Sequence, residues 1–252
     1  MTDLATLLQS FVDDETVEAV WNRLETYMDG HGFNHMLYAA THFRTIYSPG
    51  DARDALILTN YPKEYTDQYL GGGLFQQAPV VRWAMTNTGA VSWRAFTEDA
   101  MAGKLSEAEM NVVMHNQRHG ITAGYAISFP RSSPRAGFGI GLASTQMDQD
   151  AIDALWKRDG AEIHLVAGVA HLKLISLPHG DYVRALTPRQ REALELVADG
   201  KTVQDAALLM ELNPATVEKH LRLAREALEV ETTAQAIRKV STHNQFFLFP
   251  RE

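Results

Sequence analysis

Apolar positions in the first two thirds of the chain switch between two periods. From Leu4 to Met28 they recur at helical spacing. His35 to Phe43, Ala55 to Thr59, Gly124 to Phe129 and Gly137 to Ser144 read as strands. Tyr61 to Tyr69 and Ser106 to His119 read as helices, and Asp150 to Leu174 as one long helix or two, with Gly160 as the weak point. Helices flanking a sheet predict an α-β-α sandwich over residues 1–175. A Pro/Gly linker at 176–185 follows, opened by Ser176-Leu177-Pro178-His179-Gly180, and residues 186–252 then keep a helical period. The expected class is α+β: the sandwich joined to a four-helix, all-α C-terminal domain.

The C-terminal pattern is the more specific. Thr187 is placed as an N-cap, Pro188 suits the first helical position, and Gln190 completes a Thr-x-x-Gln capping box. Ala193, Leu194, Leu196 and Val197 form an apolar stripe that stops at Gly200. Thr202 to Asp205 opens a second helix, and Asn213-Pro214 opens a third after a tight turn at Glu211 to Asn213. Two short helices joined by such a turn are what a DNA-reading helix needs in order to stand clear of its scaffold. Leu194, Val217 and Leu221 are expected in the core of this unit.

Composition narrows the possibilities. At 252 residues, 45% hydrophobic and 21% charged, the chain can build one or two cored domains. It contains no cysteine, which excludes disulfides and thiolate chemistry. It has no apolar run long enough to span a bilayer, and Met1-Thr2-Asp3-Leu4 does not open a signal peptide, so a cytoplasmic protein without membrane contact is expected. A net charge of −8 argues against nucleic-acid binding by the whole surface. Lys219, Arg222 and Arg225 still cluster, with Arg189, Arg191 and Lys201 near in sequence. Acidic residues are about as frequent there, so modest affinity per monomer is expected, raised by dimerisation. His31-x-x-x-His35 and His115-x-x-x-His119 have metal-like spacing but lack the Glu of a zinc-protease helix, and read as packed or surface histidines. With no phosphate loop and no nucleophile elbow, neither an enzyme nor a cofactor is expected.

Tyr61, Tyr65 and Tyr69 share one helix face at i, i+4 and i+8. By themselves they read either as a stripe packed on the sheet or as the lining of a site for an amphipathic small molecule. Gly71-Gly72-Gly73 reads as a flexible turn or a rim that admits such a molecule.

Leu186-Thr187-Pro188-Arg189, Gly200-Lys201-Thr202, Ala206-Ala207 and Thr216-Val217-Glu218-Lys219-His220 resemble the LuxR-type helix-turn-helix. Asn60-Tyr61-Pro62-x-x-Tyr65-x-x-x-Tyr69, Pro79-Val80-Val81, Trp93 and Gly120-Ile121-x-x-Gly124 are similar to the autoinducer-binding domain of LuxR-type quorum-sensing regulators. The resemblance implies a transcriptional regulator that binds double-stranded DNA at a pseudo-palindromic site as a homodimer, responds to a small signal such as an N-acyl-homoserine lactone, and has RNA polymerase as a further partner. It places Tyr61 on an acyl carbonyl, puts Tyr65 where Trp usually donates to a lactone carbonyl, sets Tyr69 and Trp93 around the head group and Gly141 beside the acyl chain, and makes Gly124 a structural glycine. In the DNA unit it implies base or phosphate contacts by Thr216, Glu218, Lys219, Arg222, Arg225 and Lys201, with Arg222 the base reader. The largest departure is Ala78, where the family has an Asp that accepts the ligand's amide N–H. A buried amide without that acceptor costs about 1–3 kcal/mol. Three cases stay open: an unusual acyl-homoserine lactone, another apolar or aryl signal, and no ligand. The last corresponds to a ligand-independent regulator or one that acts by forming mixed dimers. The apolar tail Phe246-Phe247-Leu248-Phe249 is expected to dock rather than stay exposed.

Overall fold

The computed structural model describes residues 3–45, 47–131, 133–179, 186–244 and 246. The chain divides into two compact units, Met1–Ile175 and Ser176–Glu252.

The first unit is an α-β-α sandwich. Helices α1 (Leu4–Asp13) and α2 (Val17–Asp29) precede strands β1 (His35–Thr41) and β2 (Ala55–Thr59). Then come α3 (Lys63–Thr66), α4 (Pro79–Thr86), β3 (Gly89–Ser92), α5 (Arg94–Met101), α6 (Glu107–Arg118), β4 (Ala123–Ser128), β5 (Gly137–Ser144) and α7 (Gln149–Ser176). The expected single helical stretch from Leu4 is broken at Asp14. There Thr16 accepts from the Ala19 amide to start α2, and Arg23 grips Asp14 through two 2.8 Å hydrogen bonds. Asp150 to Leu174 forms one helix rather than two.

The five strands lie in the order β2-β1-β5-β4-β3, all antiparallel. Alternation sends Met36, Tyr38 and Ala40 of β1, with Phe138, Ile140 and Leu142 of β5, toward α1, α2 and α7. That side is filled. Tyr38 shares a 2.8 Å hydrogen bond with His171 of α7, and Phe129 stacks on the same imidazole at 4.2 Å. Tyr125 stacks on Trp156 at 4.0 Å, and Phe33 meets that indole edge-on. Gly160 is required here: a Cβ would lie 2.6 Å from the Trp156 ring, which Tyr125 and Phe33 hold in place. The opposite face carries Leu37, Ala39 and Thr41 of β1 and Gly137, Gly139 and Gly141 of β5, covered by the segments from α3 to α6.

The second unit contains α8 (Pro188–Ala198), α9 (Val203–Leu209), α10 (Pro214–Ala227) and α11 (Thr233–Thr242). Both capping boxes form, Thr187 with Gln190 and Thr202 with Asp205, and Asn213 accepts from the Thr216 amide at 2.8 Å. Leu194, Val217, Leu228 and Ala236 are fully buried, and Phe246 packs against this core. The expected docking of Phe247, Leu248 and Phe249 falls outside the described residues, as do positions 180–185 of the expected linker.

Two outcomes follow. Val at position 160 drives Trp156 off its stack; overpacking of this kind costs about 1–3 kcal/mol, more than the few tenths that helix propensity returns. Gly160→Val therefore lowers the melting temperature by several degrees in a calorimetric scan. Burial holds the His171 pKa down to about 4, below its ordinary 6.5. The unfolded chain takes up a proton through that window and the folded one does not, so stability is complete above pH 6.5 and is lost as pH falls toward 4. His171→Gln flattens that part of the stability-versus-pH curve in denaturant titrations.

Candidate functional sites

The tyrosine helix is pinned at its start. Asn60 accepts from the Met36 amide at 2.7 Å and donates to Glu25 and to the Asn34 carbonyl, which fixes the exit from β2. After one α-turn the backbone widens into a π-turn over Asp67–Gly71. The three phenols remain in register. Tyr61 stacks on Tyr65 at 4.5 Å and Tyr65 on Tyr69 at 5.2 Å, with His35 closing one end against Tyr61 at 5.0 Å. His115 and His119 lie beside Tyr65, and their own rings are 4.6 Å apart. These histidines are thus part of an aromatic cluster. Burial raises the pKa of all three phenols, so they keep their donor protons at neutral pH.

Between this cluster and the open face of the sheet lies a cavity of about 520 Å³. Tyr61, Tyr65, Tyr69, Ala78, Trp93 and Gly141 all line it. The Tyr65 hydroxyl already donates to Asn116 Oδ1 at 2.9 Å, whereas the Tyr61 and Tyr69 hydroxyls form no hydrogen bond among the described residues. Ala78 is buried at the N-cap of α4 and supplies no side-chain acceptor to that helix end. Trp93 packs over Gly124, where an added Cβ would meet the indole at 3.1 Å and the Leu142 carbonyl oxygen at 2.2 Å. Its Nε1 is buried without a partner. Gly71, Gly72 and Gly73, expected as a flexible turn or a rim, are not among the residues lining this cavity; Gly73 takes a left-handed φ of 75°, and a Cβ at Gly72 would sit 2.6 Å from the Gln68 carbonyl oxygen. The floor is a strip of backbone, since Gly137, Gly139 and Gly141 project no side chain into it.

Sequence reasoning missed Asn116, Gly137, Gly139 and Arg44 on this wall. The alternation Gly137-Phe138-Gly139-Ile140-Gly141 was the visible signal for the floor. Arg44 had none, since a charged residue after a strand ordinarily reads as solvated.

In the second unit, Glu218, Lys219 and Arg222 are exposed on α10, and Lys201 is exposed in the turn before α9. Thr216 is half-buried, with its hydroxyl bonded to Asn213 Oδ1 at 3.0 Å. Arg222 pairs with Glu226 one turn on, both side chains more than half exposed. Arg225 is half-buried and donates to Thr233 Oγ1 at 3.0 Å, so the structure gives it a partner on α11.

Residues 16–174 match the autoinducer binding domain family, and residues 180–228 match the sigma-70 region 4 family of helix-turn-helix units. The transcriptional activator protein LuxR of Aliivibrio fischeri is 28% identical over 189 residues, covering 74% of this chain and 73% of that protein. The quorum sensing-dependent transcriptional regulator RpaR of Rhodopseudomonas palustris is 24% identical over 237 residues, covering 92% and 91%. The crystal structure of Escherichia coli SdiA superposes with a TM-score of 0.52 at 15% identity, covering 97% of this chain and 98% of that one. CepR2 of Burkholderia cenocepacia gives 0.53 at 17% identity, covering 68% and 93%. These two show a shared fold. With an autoinducer binding domain over most of its length and a helix-turn-helix behind it, the chain belongs to the LuxR-type family of ligand-binding, DNA-binding transcriptional regulators.

Proposed function

We propose that the signal is an amphipathic molecule whose head accepts hydrogen bonds, and that its binding sets whether the protein pairs into a DNA-binding homodimer in the cytoplasm. The observation that carries this is the polarity of the aromatic end of the cavity. Tyr61 and Tyr69 keep donor protons, the Trp93 indole N–H is buried without an acceptor, and Ala78 removes the one carboxylate the family places there. A buried unpaired donor costs about 1–3 kcal/mol, which a carbonyl oxygen of the ligand would recover. Lactone, acyl and aryl carbonyls all fit; an amide N–H finds no side-chain acceptor at position 78.

The direct test is a thermal shift of the full chain against a panel of acyl- and aryl-homoserine lactones, with native mass spectrometry for retained signal. A rise of several degrees with one member supports the reading. A folded dimer that binds DNA, retains no small molecule and shifts with none points instead to a ligand-independent regulator. Ala78→Asp restores both an amide acceptor and an N-cap for α4. It is expected to tighten N-acyl-homoserine lactone binding about ten- to a hundredfold by calorimetric titration, the equivalent of 1–3 kcal/mol. Unchanged affinity would contradict the role given to the missing carboxylate.

For the DNA unit, Arg222 is proposed to read a base and Lys219 and Lys201 to hold phosphates. The Arg222–Glu226 pair is exposed and worth at most about 1 kcal/mol, too little to keep the guanidinium from a guanine. Arg222→Ala should lose about 1–3 kcal/mol of binding and relax preference at one position of each half-site, while Lys219→Ala should weaken all sequences alike and reduce the salt dependence. Selection from a random-sequence DNA pool, repeated at two salt concentrations, separates the two.

A further inference from the structure

The far end of the cavity carries a charge that the aromatic end does not explain. Among the described residues Arg44 is the only cation on the wall, and it is 8% exposed. Its Nε donates to the Pro134 carbonyl and its Nη1 to the Met85 carbonyl, both at 3.0 Å. A second guanidinium, Arg131, donates to that same Met85 oxygen at 2.6 Å. Neither arginine forms an ion pair with any described residue. Asp51 also lines the cavity, but the hydrogen bonds of the Arg44 side chain go to carbonyls and not to it. Backbone carbonyls satisfy two of the five donors of Arg44 and leave its charge uncompensated, and buried charges are ordinarily paired. The burial and the repulsion by Arg131 both act against the charged form of Arg44.

The position of Arg44 relative to the head-group end follows from β5. A Cβ on Gly141 would lie 3.9 Å from the Trp93 ring, and one on Gly137 would lie 3.2 Å from Arg44 Cδ. The two glycines face the same way along one strand, four residues and therefore about 13 Å apart. An extended chain lying on the glycine strip from Trp93 thus reaches Arg44 after roughly ten carbons, each adding somewhat less than one C–C bond length.

We infer that Arg44, backed by Arg131, receives an anionic terminus of the signal, so that the preferred ligand has a carbonyl-bearing head at Trp93 and a carboxylate at the other end of an apolar body. This rests on the sensor reading above and adds the chemistry of the ligand's tail to it. A guanidinium fork is suited to a carboxylate, and a charge-assisted pair is stronger than a neutral one.

The test titrates the full chain calorimetrically with two matched pairs of probes. The first is N-decanoyl-homoserine lactone against N-(ω-carboxynonanoyl)-homoserine lactone; the second, without the lactone, is methyl decanoate against monomethyl decanedioate. The carboxylate-ended member should bind about tenfold tighter or better in at least one pair. Arg44→Met should abolish that preference, and Arg44→Lys should keep part of it. If Arg44→Met does not fold, Arg131→Gln, which removes the backing charge alone, should reduce the preference, and the wild-type comparison needs no variant. A methyl-ended probe that binds as well as or better than its partner overturns this inference, makes Arg44 a clamp between loops, and leaves the sensor reading standing. Binding of none of the four probes overturns both.

Discussion

One sheet serves two faces with opposite requirements. On the α7 side, rings interlock around His171 and Trp156 until no room is left. On the other side the same strands border a space of about 520 Å³. At roughly 24 cal/mol per Å³, as an upper bound because water can enter at the mouth, filling such a space with apolar atoms is worth on the order of 10 kcal/mol. That is the scale of the whole stability of a domain. The filled face makes the hollow one possible, because it fixes strand register and lets β5 present backbone rather than side chains to a ligand. A sensor in which ligand affinity and fold stability share one reservoir responds strongly to occupancy.

The polar groups around that space divide by position. Donors gather at the aromatic end, where phenols kept neutral by burial stand beside an indole without an acceptor. The other end has positive charge held by carbonyls. Stacking among Tyr61, Tyr65 and Tyr69 survives the π-turn because each ring rests on its neighbour, and the Tyr65–Asn116 bond ties that ladder to α6. Thus Tyr65, which the family resemblance sets opposite a lactone carbonyl, serves in the fold as a strut between two helices. Arg225 is similar: it reads as a phosphate contact in sequence, and in the fold it joins α10 to α11.

Where local chemistry decides structure, the sequence was readable. Capping boxes at Thr187 and Thr202, the Asn213-Pro214 start and the run from Gly137 to Ser144 all appear where their residue types demand. β3 was not legible, because Gly89–Ser92 is four residues long and depends on its pairing with β4 rather than on its own alternation. The break at Asp14 was missed because apolar spacing continues across it while the Arg23 grip is tertiary. Gly160 suggested a weak point on propensity, yet it stays within one helix because Trp156 occupies the place of its missing side chain. The candidate site was legible in its aromatic half, which lies on one short segment. Its basic end was not, because Arg44, Arg131 and Met85 meet only through the fold.

The glycine strip also gives the pocket a graduated scale. All three bare positions are held in register by β1, and Gly139 and Gly141 by β4 as well, so a side chain added at one of them would enter the groove at a defined mark. A Cβ added at Gly141 would meet its nearest neighbours at 3.9 and 4.0 Å, ordinary contact, while one added at Gly139 would press to 3.1 Å on the Ile127 carbonyl oxygen. A single substitution at Gly141 would therefore change the free length of the cavity while leaving the strand pairing that forms the fold as it is.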